Sequence, residues 1–238
     1  MDYFFVDADD VHGGALVIRG DEYKHLARVL RKKVGDHIRV TDGNDNAYEV
    51  VIRGFDRSGV ECEILDVQHR VNEPKNNVTL AVSLLKNPAR FDFLVEKATE
   101  LGVRALIPFV SERTIPKHEK HPRLEKIALA SMKQCGRSYL PKIFVLSRFE
   151  AVVRHAREFD LRLIPHEKTE QSQFIGSVLQ HHPGAKSVLI MIGPEGGFAE
   201  GEMSLAAEHR FVPISLGPRR LRSETAALST LSWVVGGW

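Results

Sequence analysis

The chain has 238 residues, 43% hydrophobic and 27% charged, which is the balance of a globular protein with room for one large domain or two modest ones. No apolar run approaches the roughly 20 residues that span a bilayer, and the acidic start MDYFFVDADD lacks the basic and apolar regions of a secretory signal. A cytoplasmic protein is therefore expected, and a formal net charge of +2 means that any nucleic-acid footprint must be local.

The front of the chain reads as strands. YFFV, ALVIRG, DHIRVTDG, NAYEVVIRGF and GVECEILDV are short, rich in branched and aromatic residues, and bounded by Gly, Asp and Asn. One helical phrase, DEYKHLARVLRKK, interrupts them. Tyr23, Leu26, Ala27 and Leu30 make its apolar stripe, and Lys24, Arg28, Arg31 and Lys32 fall on the other face at i, i+4, i+7 and i+8. Residues 1–72 hold 10 Lys and Arg against 14 Asp and Glu, yet six basic side chains, including His25 and Lys33, crowd into residues 24–33. This pattern suggests a small barrel whose helix face either holds phosphates or is simply solvated.

The polar run NEPKNN, residues 72–77, reads as a linker, dividing the chain into 1–72 and 73–238. Beyond it, about six strand–helix units follow in alternation. VTLAVSLLK leads to RFDFLVEKATELG, RALIPFV to HPRLEKIALASMKQCG, IFVLS to RFEAVVRHAREF, LRLIPHE to QSQFIGSVLQHH, SVLIMIG to EGEMSLAAEHR, and FVPISLG to SETAALSTLSWVVGG. That rhythm predicts an α/β fold, a mostly parallel sheet with helices on both faces and ligands beyond the carboxyl ends of its strands. Cys62 and Cys135 are far apart and in no metal-like spacing, as are the histidines, so no metal site is expected and the cysteines read as small buried hydrophobes.

Two loops sit at the carboxyl end, IGPEGGFAEGE (residues 192–202) and SLGPRRLRSETA (residues 215–226). Neither is a dinucleotide fingerprint or a phosphate-cradling loop. GPEGG lets a flat ligand approach main-chain groups, and Pro194 and Pro218 stiffen the loops, although plain strand–helix turns would also use glycine. Ser223 is a natural N-cap and Glu224 suits a first helical turn. Arg219, Arg220 and Arg222 oppose the helix dipole there, which calls for an anionic partner.

Together the two loops resemble motifs of the SPOUT class of S-adenosylmethionine-dependent RNA methyltransferases, and in detail the RsmE family, which methylates N3 of a uridine in 16S ribosomal RNA. RFDFLVEKATELGV (residues 90–103), SERT (111–114), KIALASMKQCGR (126–137) and HLARVLRKKVGD (25–36) resemble further family stretches. The resemblance implies an N-terminal PUA-like RNA-binding β-barrel and a C-terminal trefoil-knot methyltransferase domain. It also implies a homodimer in which the last helix, with Trp233, lies either at the interface or in the chain's own core. The methyl donor, S-adenosyl-L-methionine, would be held by Pro165, His166, Glu167, Ile192, Gly193, Pro194, Gly197, Leu216, Gly217, Leu221, Thr225 and Ala226, leaving S-adenosyl-L-homocysteine. Arg220 replaces a usual aliphatic residue, Lys133 a usual acidic one, and the start MDYFF a usual arginine–aromatic pair that contacts RNA.

Chemistry on a uridine N3 needs its proton removed and the resulting anionic base stabilised. Arg222 suits the second task; Glu195 or Glu224 suits the first. Lys24, His25, Arg28, Arg31 and Lys32, with Arg219 and Arg220, are the expected RNA contacts, on the small ribosomal subunit or on free rRNA. A sister enzyme acting on a ribose 2′-hydroxyl or another base, an inactive RNA-binding assembly factor, and an unrelated α/β enzyme using a phosphorylated nucleotide are the alternatives.

Overall fold

Strand alternation builds the first part of the molecule. In the computed structural model, which describes residues 3–167 and 169–236, the chain forms two units: Met1–Glu73 with Met132–Leu140, and Pro74–Ser131 with Pro141–Trp238. A split after residue 72 leaves out the return segment that joins the first unit.

The first unit holds β1 (Tyr3–Phe5), β2 (Val11–His12), β3 (Ala15–Ile18), β4 (His37–Thr41), β5 (Asn46–Phe55) and β6 (Val60–His69), in the order β1-β4-β5-β6-β3-β2. Only β1 and β4 pair in parallel; the other pairings are antiparallel. Leu16, Ile18, Ile38, Val40, Val50, Ile52, Val60 and Cys62 recur with period 2 and form one buried core with Phe4, Val6 and Leu26. Register shifts at Glu49/Val50 and Ile52/Gly54 bend the long β5–β6 ribbon over that core. β2, at two residues, is too short to carry a sequence pattern.

The helical phrase is shorter than its periodicity suggests. α1 covers Gly20–Lys24, and His25–Val29 continue as a π-helical turn, with the Leu30 N–H donating to the His25 carbonyl at 3.0 Å. The chain then turns out of the helix at Arg31, whose φ is 52°. Wider turns and a left-handed exit abolish the i, i+7, i+8 relation, so Arg31 and Lys32 do not extend a helical face with Lys24 and Arg28. Lys24, His25, Arg28 and Arg31 are exposed and Lys32 is half-buried. Lys24 pairs with Asp21 at 2.7 Å, and His25 lies 6.3 Å from the Phe4 ring.

The return segment is tied in by charge. Arg137 and Glu73 form a buried pair, with guanidinium nitrogens 2.6–3.2 Å from the carboxylate, and the Tyr139 N–H donates to the same carboxylate at 3.0 Å. Lys133 pairs with Glu22, so its departure from the family pattern is matched by a local carboxylate. Met1 and Asp2, the other departure at the chain start, lie outside the described residues.

Burial pushes the Cys62 thiol up to about 12, whereas Cys135 is half-buried. Cys62 thus stays a thiol at any neutral pH, and the thiolate is the reactive form. Brief alkylation of the native protein at pH 8 is expected to label Cys135 and spare Cys62 until denaturant is added, as mass spectrometry of the peptides will read.

In the second unit every pairing is parallel. β7 (Asn77–Ser83), β8 (Ala105–Val110), β9 (Lys142–Ile143), β10 (Ser147–Arg148), β11 (Leu161–Pro165), β12 (Ser187–Ile192) and β13 (Val212–Ile214) run in the order β10-β8-β7-β12-β11-β13, with β9 also on β8. The phrase IFVLS is thus two short edge strands. The helices that begin in this unit are α2 (Pro88–Glu100), α3 (His121–Cys135), whose last turn from Met132 belongs to the first unit, α4 (Phe149–His155), α5 (Ile175–Gln180), α6 (Glu200–Glu208) and α7 (Ser223–Val235). α2 starts where Asn87 caps the Ala89 N–H at 2.9 Å and Pro88 needs no donor. It buries Phe91, Leu94, Val95 and Ala98, at helical spacing.

Helices cover both faces of the sheet. Ala81, Leu189 and Met191 point into a core with α4 and α6 residues, so Leu80, Val82, Val188 and Ile190 point the other way, where α7 packs on β7 and β12 and against α2 and α5. Trp233 meets Phe174 edge-on at 5.4 Å, within the chain. Among the described residues no helix is long and apolar enough to cross a membrane, and no group of three potential ligands is placed to hold a metal ion.

Candidate functional site

Strand order brings three loops together. β12, β11 and β13 are parallel neighbours, so the segments after them leave one edge of the sheet side by side. Pro165, His166 and Glu167 end or follow β11; Ile192, Gly193, Pro194 and Gly197 end or follow β12; Leu216, Gly217 and Leu221 follow β13; Thr225 and Ala226 lie in the first turn of α7. Far apart in sequence, these residues therefore sit at adjacent strand ends, where open α/β sheets receive ligands.

The loop after β12 is anchored by an aromatic. Phe198 is buried, parallel to Phe109 at 6.4 Å and tilted against Phe149 at 5.6 Å. That ring passes so close to Gly193 that a Cβ there would stand 3.1 Å from it, so a larger residue would need the Phe198 ring to give by a few tenths of an ångström. Buried Glu202 accepts from the Ala199 N–H and the Glu112 N–H, each at 2.9 Å, tying this loop to the one after β8. Arg113 donates to the Gly196 carbonyl at 2.9 Å, and Thr114 bonds Ser83 and Ser111. Glu195 accepts the Lys86 N–H at 3.0 Å, at the junction of β7 and α2.

The loop after β13 is held at its start and open beyond. Ile214 accepts from the His166 N–H at 3.2 Å; Ser215 donates to the Gln173 carbonyl at 2.9 Å and accepts from the Ile175 N–H at 3.2 Å. From Leu216 to Leu221, among the described residues, only the Gly217 N–H forms a backbone hydrogen bond within the chain, to Ser215 Oγ at 3.3 Å. Gly217 has a φ of 99°, and Gly197 a φ of 69°; a Cβ on either would meet nothing within 4 Å. Open space bordered by free main-chain donors and acceptors fits a flat heterocycle read by backbone groups.

Arg222, not Ser223, occupies the N-cap of α7, and Ser223 is its first helical residue. The Arg222 carbonyl accepts the Ala226 N–H at 2.8 Å while its side chain is exposed, with no hydrogen-bond or ion-pair partner among the described residues. Arg219 and Arg220 are exposed too, and Arg220 lies 3.8 Å from Glu167. Glu224 is buried; Oε1 is 3.7 Å from Arg90 Nε on α2, and Oε2 has no partner.

Sequence reading did not single out Arg90, Arg113 or Glu202. Arg113 had a signal, the phrase SERT. Arg90 and Glu202 also lay in quoted phrases, RFDFLVEKATELGV and IGPEGGFAEGE, but their partners Glu224 and the Glu112 N–H are 90 residues or more away, and only folding sets that distance.

A parallel sheet with such loops at its carboxyl edge, joined to a small mostly antiparallel unit, is matched by two family models. The model for the RNA methyltransferase domain covers residues 72–235, and that for the RNA methyltransferase PUA domain covers residues 18–65. Fold and site thus define the class as α/β RNA methyltransferases with a PUA-like domain. A Mesomycoplasma hyopneumoniae protein, ribosomal RNA small subunit methyltransferase E, is 36% identical over 72% of this chain and 75% of its own. Its Bacillus subtilis namesake is 29% identical over 90% and 87%. A crystal structure of the Neisseria gonorrhoeae namesake bound to S-adenosyl methionine superposes with a TM-score of 0.88 at 28% identity, covering 100% of this chain and 98% of that one. The chain belongs to the ribosomal RNA small subunit methyltransferase E family.

Proposed function

We propose that the protein methylates N3 of a uridine in 16S ribosomal RNA, using S-adenosyl-L-methionine and acting on the assembled small subunit. The observation that carries the reading is the convergence of three loops on adjacent strand ends, with an unpaired Arg222 at the start of α7. The Neisseria gonorrhoeae relative is bound to S-adenosyl methionine, which favours the same donor here. Open backbone at 216–221 and the clear space at Gly197 and Gly217 suit its adenine. The holding residues are Pro165, His166, Glu167, Ile192, Gly193, Pro194, Gly197, Leu216, Gly217, Leu221, Thr225 and Ala226. When bound, the donor supplies an electrophilic methyl group on a sulfonium.

The chain's own residues then supply alignment and charge. Arg222 stabilises the negative charge on the uracil oxygens as N3 loses its proton. Glu195 and Glu224 are the carboxylates at hand for that proton. N3 lies on the Watson–Crick edge, so the target base must be unpaired or turned out of its stack.

The hydrogen bonds that flank Ile214 and Ser215, from His166 on one side and Gln173 and Ile175 on the other, support passage of the chain through the 166–175 loop, as a trefoil knot requires. Residues 1–72, with the return segment 132–140 that joins their unit, serve as the RNA-binding domain and the rest of 73–238 as the catalytic one, in a cytoplasmic homodimer formed through the latter. Lys24, His25, Arg28, Arg31, Lys32, Arg219 and Arg220 face phosphates. Neutralising Arg28 and Arg31 together is expected to lower the slope of log affinity against log salt by about 1.4–1.8 on RNA. An unchanged slope removes both from the footprint.

The function is tested by methyl transfer to small subunits that lack the modification, with digested RNA read by mass spectrometry against an N3-methyluridine standard and free rRNA run in parallel. N3-methyluridine on the particle establishes substrate and chemistry. Methylation at another base or a ribose assigns a sister activity; S-adenosylmethionine binding without transfer to either RNA overturns the proposed substrate.

A further inference from the structure

The loop after β12 is fixed on either side of its middle by contacts of its own. The Glu195 carboxylate accepts the Lys86 N–H at 3.0 Å, the Phe198 ring is buried, and Glu202 accepts the Ala199 N–H at 2.9 Å. Between these anchors lies the Gly196–Gly197 peptide, and the rotations on both sides of it belong to glycines. Glycine takes positive and negative φ about equally, so nothing local sets which way this peptide faces. Its rotation would interchange a carbonyl acceptor and an N–H donor, and a ligand read by backbone groups would meet the wrong one.

The observed orientation is held from both ends. The Gly197 N–H donates to the Pro194 carbonyl at 2.9 Å, and Arg113 Nη1 donates to the Gly196 carbonyl at 2.9 Å. Gly197 then keeps its φ of 69° with open space beside it. Among the described residues, Arg113 is the only side chain bonded to this peptide. Its stem also lies along Gly196, where an added Cβ would stand 3.3 Å from the arginine Cβ and 3.5 Å from its Cδ. The arginine is placed in turn by its neighbours. The Glu112 N–H donates to Glu202 at 2.9 Å, the Ser111 N–H donates to Thr114 Oγ1 at 2.8 Å, and the Ser83 hydroxyl lies 2.6 Å from the same oxygen.

We propose that Arg113 is a positioning residue for the methyl donor, holding the Gly196–Gly197 peptide in the orientation that accepts S-adenosyl-L-methionine, an inference that rests on the donor site proposed above. The donor then meets a loop already ordered, and affinity rises without any contact between it and the arginine. The Arg113 side chain is exposed, so its removal strands no buried charge and the effect falls on the order of the loop.

The test compares Arg113→Ala and Arg113→Lys with the unmodified protein. Calorimetry measures S-adenosylmethionine affinity, turnover on the small subunit at saturating donor gives kcat, and thermal unfolding gives stability. NMR of glycine-labelled protein reads the Gly197 amide without ligand. Arg113→Ala is expected to weaken donor binding by about tenfold, the scale of one hydrogen bond to a charged group, with kcat and unfolding temperature close to those of the unmodified protein. The Gly197 signal is expected to shift and broaden as the peptide samples both orientations. Arg113→Lys keeps a donor on an aliphatic stem and is expected to recover most of the affinity and of the Gly197 signal. Unchanged donor affinity in Arg113→Ala overturns the proposal. So does a lower unfolding temperature with no change at Gly197, which leaves the arginine a structural tie. Absence of S-adenosylmethionine binding by the unmodified protein refutes the donor site and this inference with it. Methylation elsewhere than uridine N3 refutes only the substrate, because affinity and the Gly197 signal are read without RNA.

Discussion

Replacing Arg222 with alanine is expected to lower kcat by about 10²–10³-fold with little change in the affinity for S-adenosylmethionine, the size of effect seen when one donor to a developing oxyanion is removed. The split follows from where its atoms lie. The backbone carbonyl accepts the Ala226 N–H at 2.8 Å and so starts α7 whatever side chain is present. The guanidinium is exposed and has no partner among the described residues, so its removal breaks no contact that holds the loop. A cation at a helix N-terminus opposes the dipole, and it earns its place only against an anion. Single-turnover methyl transfer and calorimetric binding of the donor separate the two quantities. A large loss of donor affinity with chemistry intact would move Arg222 from the base to the cofactor.

Arg137→Ala is expected to destabilise the first unit by about 3–5 kcal/mol, because it strands a charge taken out of water. Side-chain exposure of Arg137 and Glu73 is 2% and 1%, so neither can be rehydrated without opening the fold. Glu73 would lose the contacts from Arg137 Nε and Nη2 and keep the Tyr139 N–H. Replacing both residues by apolar ones of similar volume is expected to cost far less, since no charge is then left unpaired. Urea unfolding of the single and double variants measures this. Equal midpoints for Arg137→Ala and the unmodified chain would mean that the pair contributes nothing to folding.

The electrostatic features of the site were partly visible before folding was considered. The two glycine-rich loops, the arginines between them and the acidic residues beside them were read from residue type alone, as was the assignment of α7 to an apolar phrase. The cap was misplaced by one residue, since Ser223 has the better side chain for it and the chain uses the Arg222 backbone instead. The basic helix was overextended. Periodicity continued through Arg31 and Lys32, but a π turn and the positive φ of Arg31 are backbone events that apolar spacing does not encode. Val11 and His12 form a strand only because Leu16 and Ala15 lie opposite.

Local sequence determined most of the strands and helices of both units, though not β2, the end of the basic helix or the break between β9 and β10, and it determined the parallel character of the second unit and which end of its sheet carries the glycine-rich loops. Alternation and helical spacing are properties of neighbouring residues, and a run such as SVLIMI is buried on both faces in any fold that accepts it. Tertiary structure alone decided the rest: that β12, β11 and β13 are neighbours, that Met132–Leu140 returns to the first unit, and that Glu224 meets Arg90. Those relations join residues separated by tens to more than a hundred positions. They are set by which faces pack and by how buried charge finds a partner, and no window of sequence holds both sides of such a contact.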